Sequence, residues 1–386
     1  MVVRFSSVIM AAVAIVVSGC AVTHAEPRVA TVLSRPGGDF EIGQTALHLV
    51  DEARADPFQP ERRRELMVSV FYPAAEVAGY PQAHYLSKEL IPSLEKQFGI
   101  QLPGMLTSSF TDAPAMEGAR YPVLLYSPGA GDSRLYGTGL AEDLASRGYV
   151  VVTIDHPYEA SAVEFPGPRI VFHQKADGFT PELRTRYINA RLADTSFVVD
   201  SLTALNHGAN PDAEQRPLPV GLNQVLDLGR IGMVGHSSGG FVAVEAMHGD
   251  RRIDAAVDLD GQLGVDDDLG RAASEGVDRP VLIMTSQQIE QVGDAEPSLE
   301  AFWRNSSGWK RRLIVKDSAH YDFTDLSALV PVQARPSVNF VGPIGADRAA
   351  ALVHTYVAAV FDKFLRHLDD TALDRPVTDP ELMLER

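Results

Sequence analysis

Residues 230–240 read Arg230-Ile231-Gly232-Met233-Val234-Gly235-His236-Ser237-Ser238-Gly239-Gly240, and FVAVEAM follows at 241–247. Arg230–Val234 is an apolar run of strand length, and Phe241–Met247 reads as a buried helix. Between them Gly235-x-Ser237-x-Gly239 leaves almost no side chain on either side of one serine. A strand that turns sharply into a helix needs that room, and the turn lifts the serine hydroxyl above the sheet edge. A bare G-x-S-x-G arises by chance in about one chain in ten of this length. The flanking strand and helix, with a third glycine at 240, give it weight. A purely structural turn is the plain alternative. A nucleotide-binding loop fits poorly, because G-x-G-x-x-G is not met.

Outward from this turn the chain alternates short apolar runs with helical patterns, as a mostly parallel sheet with helices on both faces requires. Strands are expected at Leu66–Tyr72, Pro122–Ser127, Tyr149–Ile154, Ala255–Leu259, Pro280–Thr285 and, last, Arg312–Val315. Helices are expected at Leu135–Arg147, closed by Gly148, at Pro181–Leu205 and at Ala346–Leu368, where Ala349, Ala350, Ala358 and Ala359 permit close packing on the sheet. Residues 79–118 read as an irregular excursion, in part a cap, with one amphipathic stretch at Ser87–Phe98. Asp155–Thr180 reads as a loop overhanging the site.

A serine needs an adjacent base to act as a nucleophile. In the order serine, acid, histidine, the base must follow Ser237. His354 and His367 fall in the C-terminal helix, whereas His320 follows the last expected strand. Loops there lie where open α/β sheets place their ligands. A surface-loop histidine is the alternative. Asp260, at the end of the strand Ala255–Leu259 and before Gly261, is the favoured acid; Asp258, Glu290 and Asp294 remain open. Such a carboxylate would hold the imidazole tautomer and stabilise the imidazolium. The oxyanion of a tetrahedral intermediate needs preorganised N–H donors. These are assigned to the backbone of Ser238 and of Ala130, in Pro128-Gly129-Ala130-Gly131.

These segments resemble the plasma-type platelet-activating factor acetylhydrolases and their bacterial relatives over roughly residues 62 to 367. The likeness lies in Val68–Pro73, Tyr126-Ser127-Pro128-Gly129-Ala130-Gly131, Ile154-Asp155-His156, Gly235–Gly240, Asp260 and Ala319-His320-Tyr321-Asp322-Phe323. The elbow-to-acid spacing is similar to that family's, which favours Asp260. Pro128 stands where the family's oxyanion loop usually has a histidine, and Gly261-Gln262 follows the acid where an aromatic residue is common. The resemblance implies an α/β-hydrolase fold and a calcium-independent, cofactor-free esterase or lipase. Its substrate would be a small-molecule or lipid ester with short or oxidised acyl groups. Secreted bacterial lipases and polyester-cleaving enzymes look similar. A peptidase or acyltransferase on the same residues, and a non-catalytic surface protein, are the competing readings.

The remainder of the chain bounds these readings. It has 386 residues, enough to bury a large core, with 45% hydrophobic and 22% charged residues. The net charge of −17 repels phosphate backbones, so no nucleic-acid partner is expected. Cys20 is the sole cysteine, which excludes an intramolecular disulfide. Arg4, the ten-residue apolar run Val8–Val17 and Val17-Ser18-Gly19-Cys20 together resemble a lipoprotein signal peptide at 1–20. Ten residues fall short of the ~20 that span a bilayer. A plain secretory signal cut after Ala25 and an uncleaved anchor are the alternatives. Residues 21–36 would form a tether, 37–386 the domain, and a lipidated Cys20 would hold the enzyme to a membrane outside the cytoplasm. No metal site is expected. Asp266-Asp267-Asp268 lacks the alternating ligands and the glycine of a calcium loop and reads as solvated acid.

Overall fold

The computed structural model describes residues 33–98, 104–167, 169–174, 180–265, 268–292, 296–330, 335 and 338–385. Residues 1–20, Cys20 with them, and most of the 21–36 segment lie outside these, as do Asp266, Asp267 and Asp294. In chain order the strands are β1 (Ile42–Ala55), β2 (Arg63–Pro73), β3 (Gln82–His84), β4 (Leu106–Thr111), β5 (Tyr121–Ser127), β6 (Val150–Ile154), β7 (Ala162–Phe165), β8 (Arg169–Phe172), β9 (Leu226–His236), β10 (Ile253–Leu259), β11 (Gly264–Val265), β12 (Asp268–Leu269), β13 (Val281–Ser286), β14 (Lys310–Val315) and β15 (Leu382–Leu384). The helices are α1 (Leu90–Phe98), α2 (Thr138–Ser146), α3 (Pro181–Asn206), α4 (Ser238–Gly249), α5 (Arg271–Glu275), α6 (Gln287–Val292), α7 (Glu296–Asn305), α8 (Leu326–Leu329) and α9 (Ala346–Phe364).

Eleven strands form one sheet in the order β15-β14-β13-β10-β9-β5-β6-β2-β1-β4-β3. From β6 to β14 each neighbouring pair is parallel, whereas β2 is antiparallel to both β6 and β1. Alternation along the buried strands assigns the two faces. Val123 and Leu125 of β5 join Val198 and Leu202 of α3, Val242 of α4 and Phe302 of α7. Leu124 and Tyr126, one residue out of phase, join Leu140 and Leu144 of α2 and Val357 and Phe361 of α9. Burying each such aliphatic side chain contributes ~1.5–3 kcal/mol. The carboxyl ends of the parallel strands are thereby held as one rigid edge.

The caps follow ordinary chemistry. Thr180 accepts from the Leu183 amide, and Pro181 opens α3. Gly148, at φ 94°, ends the segment after α2.

The structure departs from the expected elements in four places. Residues 79–118 are not irregular throughout: β3 and β4 extend the sheet, and β4 pairs with β1. The long strand β1 was not expected, because its charged distal end hides the period of the buried half. Residues 155–180 carry the hairpin β7–β8. Arg312–Val315 is not the last strand, since β15 pairs antiparallel with β14.

Candidate active site

β9 delivers the chain to Ser237, and α4 leaves from Ser238. Ser237 has φ 55° and ψ −122°, which a non-glycine residue holds only where its surroundings enforce it. The Ser237 amide donates to Leu259 O at 2.8 Å, fixing the bend to β10. The flanking glycines are required by contact. A Cβ on Gly235 would lie 2.1 Å from Gly239 O, and one on Gly239 would lie 2.0 Å from Ser127 O. A Cβ on Gly240 would lie 1.9 Å from Asp258 Oδ1.

His320 follows β14 in a short turn, and its Nε2 lies 2.9 Å from Ser237 Oγ. Its Nδ1 lies 2.7 Å from Asp260 Oδ2. Asp260 is buried at the end of β10 with φ 57°. Its carboxylate accepts from the Ser286 amide at 2.5 Å and from Ser286 Oγ at 2.9 Å. These donors hold the carboxylate in one orientation.

The other acids expected from the sequence go elsewhere. Asp258 points beneath the elbow and accepts from the Gly261 amide at 2.9 Å. Burial, reinforced by the Asp260 charge, pushes its carboxyl up to about 8 against that hydrogen bond. It therefore stays protonated at neutral pH. Glu290 pairs with Arg312. His354 faces Asp143, and its Nδ1 is 3.8 Å from that carboxylate.

The loop after β5 lies against the elbow, since Gly239 touches the carbonyls of Ser127 and Pro128. Asp132 N donates to Gly129 O at 3.1 Å, and Gly131 sits at φ 80°, a turn that needs glycine at that place. Ala130, Ser237 and Ser238 are partly exposed amid buried neighbours.

Two groups here were not singled out from the sequence. His236, the residue before Ser237, donates from Nε2 to His320 O at 2.9 Å, and its ring lies tilted against the His320 ring, with centroids 4.5 Å apart. Burial, then the neighbouring His320, lowers its pKa and keeps it neutral. Arg191 of α3 is fully buried and paired with Glu159 through two contacts of 2.7 Å. A middle position in G-x-S-x-G and an arginine within a long helix carry no signal of burial, and arginine is ordinarily exposed. Among the described residues no group of three or more His, Cys, Asp or Glu is placed to hold a metal.

A parallel sheet covered on both faces, with a serine raised at a strand-to-helix bend above it, defines the α/β-hydrolase class. Within that class the chain belongs to the family of platelet-activating factor acetylhydrolase, isoform II, whose model matches residues 70–372. A probable 1-alkyl-2-acetylglycerophosphocholine esterase of Arthroderma benhamiae is 27% identical, over 89% of this chain and 91% of that one. A platelet-activating factor acetylhydrolase of Canis lupus familiaris is 23% identical, over 76% and 68%. Among solved structures, a ferulic acid esterase from Streptomyces cinnamoneus superposes with a TM-score of 0.78 and 36% identity, covering 92% of this chain and 99% of that one. The chain is a serine carboxylic-ester hydrolase.

Proposed function

We propose that the enzyme cleaves short-chain carboxylic esters through an acyl-enzyme, with Ser237 as nucleophile, His320 as general base and acid, and Asp260 as the group that orients His320. The observation that carries this is the unbroken contact from Ser237 Oγ to His320 Nε2 at 2.9 Å and from His320 Nδ1 to Asp260 at 2.7 Å. Ser237 attacks the carbonyl carbon as its proton passes to His320 Nε2. The tetrahedral oxyanion is met by the amides of Ser238 and Ala130, the first of them at the positive end of α4. Collapse breaks the C–O bond, and His320 returns the proton to the departing alcohol. Water, deprotonated by His320, then attacks the acyl-enzyme and releases the acid. Asp260 stabilises the imidazolium in both halves without itself taking the proton.

The substrate class rests on the relatives. The fungal relative carries the name of an acetyl-ester cleaving enzyme, and the bacterial structure that of an esterase of an aromatic acid. Rates across p-nitrophenyl esters of rising chain length test it: kcat/KM should be highest at acetate to butyrate. A maximum at long acyl chains, or faster cleavage of anilides than esters, would overturn the assignment.

The leader supports an extracytoplasmic enzyme tethered through a lipidated Cys20. Among the described residues no helix is long and apolar enough to cross a membrane.

A further inference from the structure

The loop that carries Ala130 closes on itself through one turn hydrogen bond, from the Asp132 amide to Gly129 O at 3.1 Å. Pro128-Gly129-Ala130-Gly131 offers no side chain that could fix the direction of an amide. Yet an oxyanion donor acts only if its N–H is already aimed before the charge forms. Arg191 supplies what the loop lacks. Its Nη1 donates to Pro128 O at 2.5 Å and to Ser127 Oγ at 3.1 Å, and its Nη2 donates to Gly129 O at 2.9 Å and to Glu159 Oε1 at 2.7 Å. Nε donates to Glu159 Oε2 at 2.7 Å. A guanidinium has five N–H bonds, and all five are thus assigned.

The peptide following Gly129 is trans, so its C=O and the Ala130 N–H point in opposite directions. Gly129 O faces the guanidinium. The Ala130 N–H is therefore turned away from it, and Ala130, like Ser237, is partly exposed. We propose that Arg191 is a positioning residue for the reaction: by holding the carbonyls of Pro128 and Gly129 it aims the Ala130 amide at the oxyanion. This rests on the assignment of Ser237 and Ala130 above.

The rest of the surroundings fit a fixed clamp. Glu159 neutralises Arg191, and both are buried. The loop bearing Glu159 is tied to the same turn, because the Ser161 amide donates to Gly131 O at 2.8 Å. On the far side, Ser127 Oγ lies 3.1 Å from His156 Nε2, and His156 Nδ1 lies 2.9 Å from Asp194, three residues after Arg191 on α3. Asp194 is itself held by the buried Arg64. Helix α3 therefore holds the oxyanion loop through Arg191 and reaches the end of β5 through Asp194 and His156.

The test uses the full chain with Arg191→Met, Arg191→Lys and Glu159→Gln. Turnover of p-nitrophenyl acetate is normalised to the serine titrated by a fluorophosphonate, and the Ki of a short alkylboronic acid, a tetrahedral adduct former, is measured beside it. Arg191→Met should lower kcat about 10²-fold with KM within about threefold, as loss of one oxyanion donor does. The boronic acid should weaken in step, and the pH profile should stay in place. Arg191→Lys should fall in the same direction, because one ammonium cannot hold two carbonyls and a carboxylate in fixed geometry. If both arginine variants fail to fold, Glu159→Gln, of equal shape, carries the test and should lower kcat about tenfold with KM unchanged. Folded variants that keep kcat and boronate affinity within about threefold of the parent would overturn the proposal. A parent enzyme that is not labelled at Ser237 would instead overturn the nucleophile assignment, whatever Arg191 does.

Discussion

At the residue scale, each acid near Ser237 is set apart by a different set of donors. Asp260 receives the Ser286 amide, Ser286 Oγ and His320 Nδ1. Asp260→Asn should therefore lower kcat by about 10⁴-fold, because the amide favours the wrong imidazole tautomer. Ser286→Ala leaves the Ser286 amide and His320 in place and should cost less than about tenfold, read as kcat on p-nitrophenyl acetate. Asp258 has only the Gly261 amide and is pushed up to about 8 by burial. Its folded value lies above its unfolded one, so the fold binds this proton more tightly than the unfolded chain does. Its contribution is greatest below about pH 4 and is lost as pH rises towards 8. Melting of Asp258→Asn and the parent at pH 5 and pH 8 checks this. The variant should gain relative to the parent by several degrees at pH 8; a difference independent of pH would contradict it.

At the element scale, the turn from β9 to α4 is where sequence and structure agree most closely. Gly235, Ser237 and Gly239 imposed it on the sequence reading, and the contacts that a Cβ would make explain why. Gly239→Ala would press on the backbone carbonyl of Ser127, which cannot rotate away. It should cost at least about 3 kcal/mol, measured by denaturant unfolding. The parallel strands were legible because strands buried on both faces are continuous apolar runs. β1 was not, since half of it faces solvent with charges. Neither were β3 and β15, three residues each at the two sheet edges, nor β4, whose sequence LTSSFT is largely polar. His320 was singled out by its place after the strand at Arg312–Val315, and it lies 2.9 Å from Ser237 Oγ. Arg191 and His236 were not, because their importance lies in contacts with residues far along the chain.

At the scale of the whole molecule, the two helical layers fix the strand ends, and α3 and the segment after β14 bring Arg191 and His320 to the same edge. The tether proposed at Cys20 belongs to this scale as well. Cys20→Ala should move the enzyme from the detergent phase to the aqueous phase on Triton X-114 partition of the cells, with kcat on p-nitrophenyl acetate unchanged. Equal partition of parent and variant would remove the lipid tether from the account.

The acyl-enzyme proposed on Ser237 is open to direct observation. Enzyme mixed with p-nitrophenyl acetate should be quenched in acid within its first turnovers, digested, and the peptides weighed. One acetyl group is expected on the peptide containing Ser237, and it should vanish as turnover ends. Full turnover with no acetyl on that serine, or with the acetyl on another residue, would contradict the account.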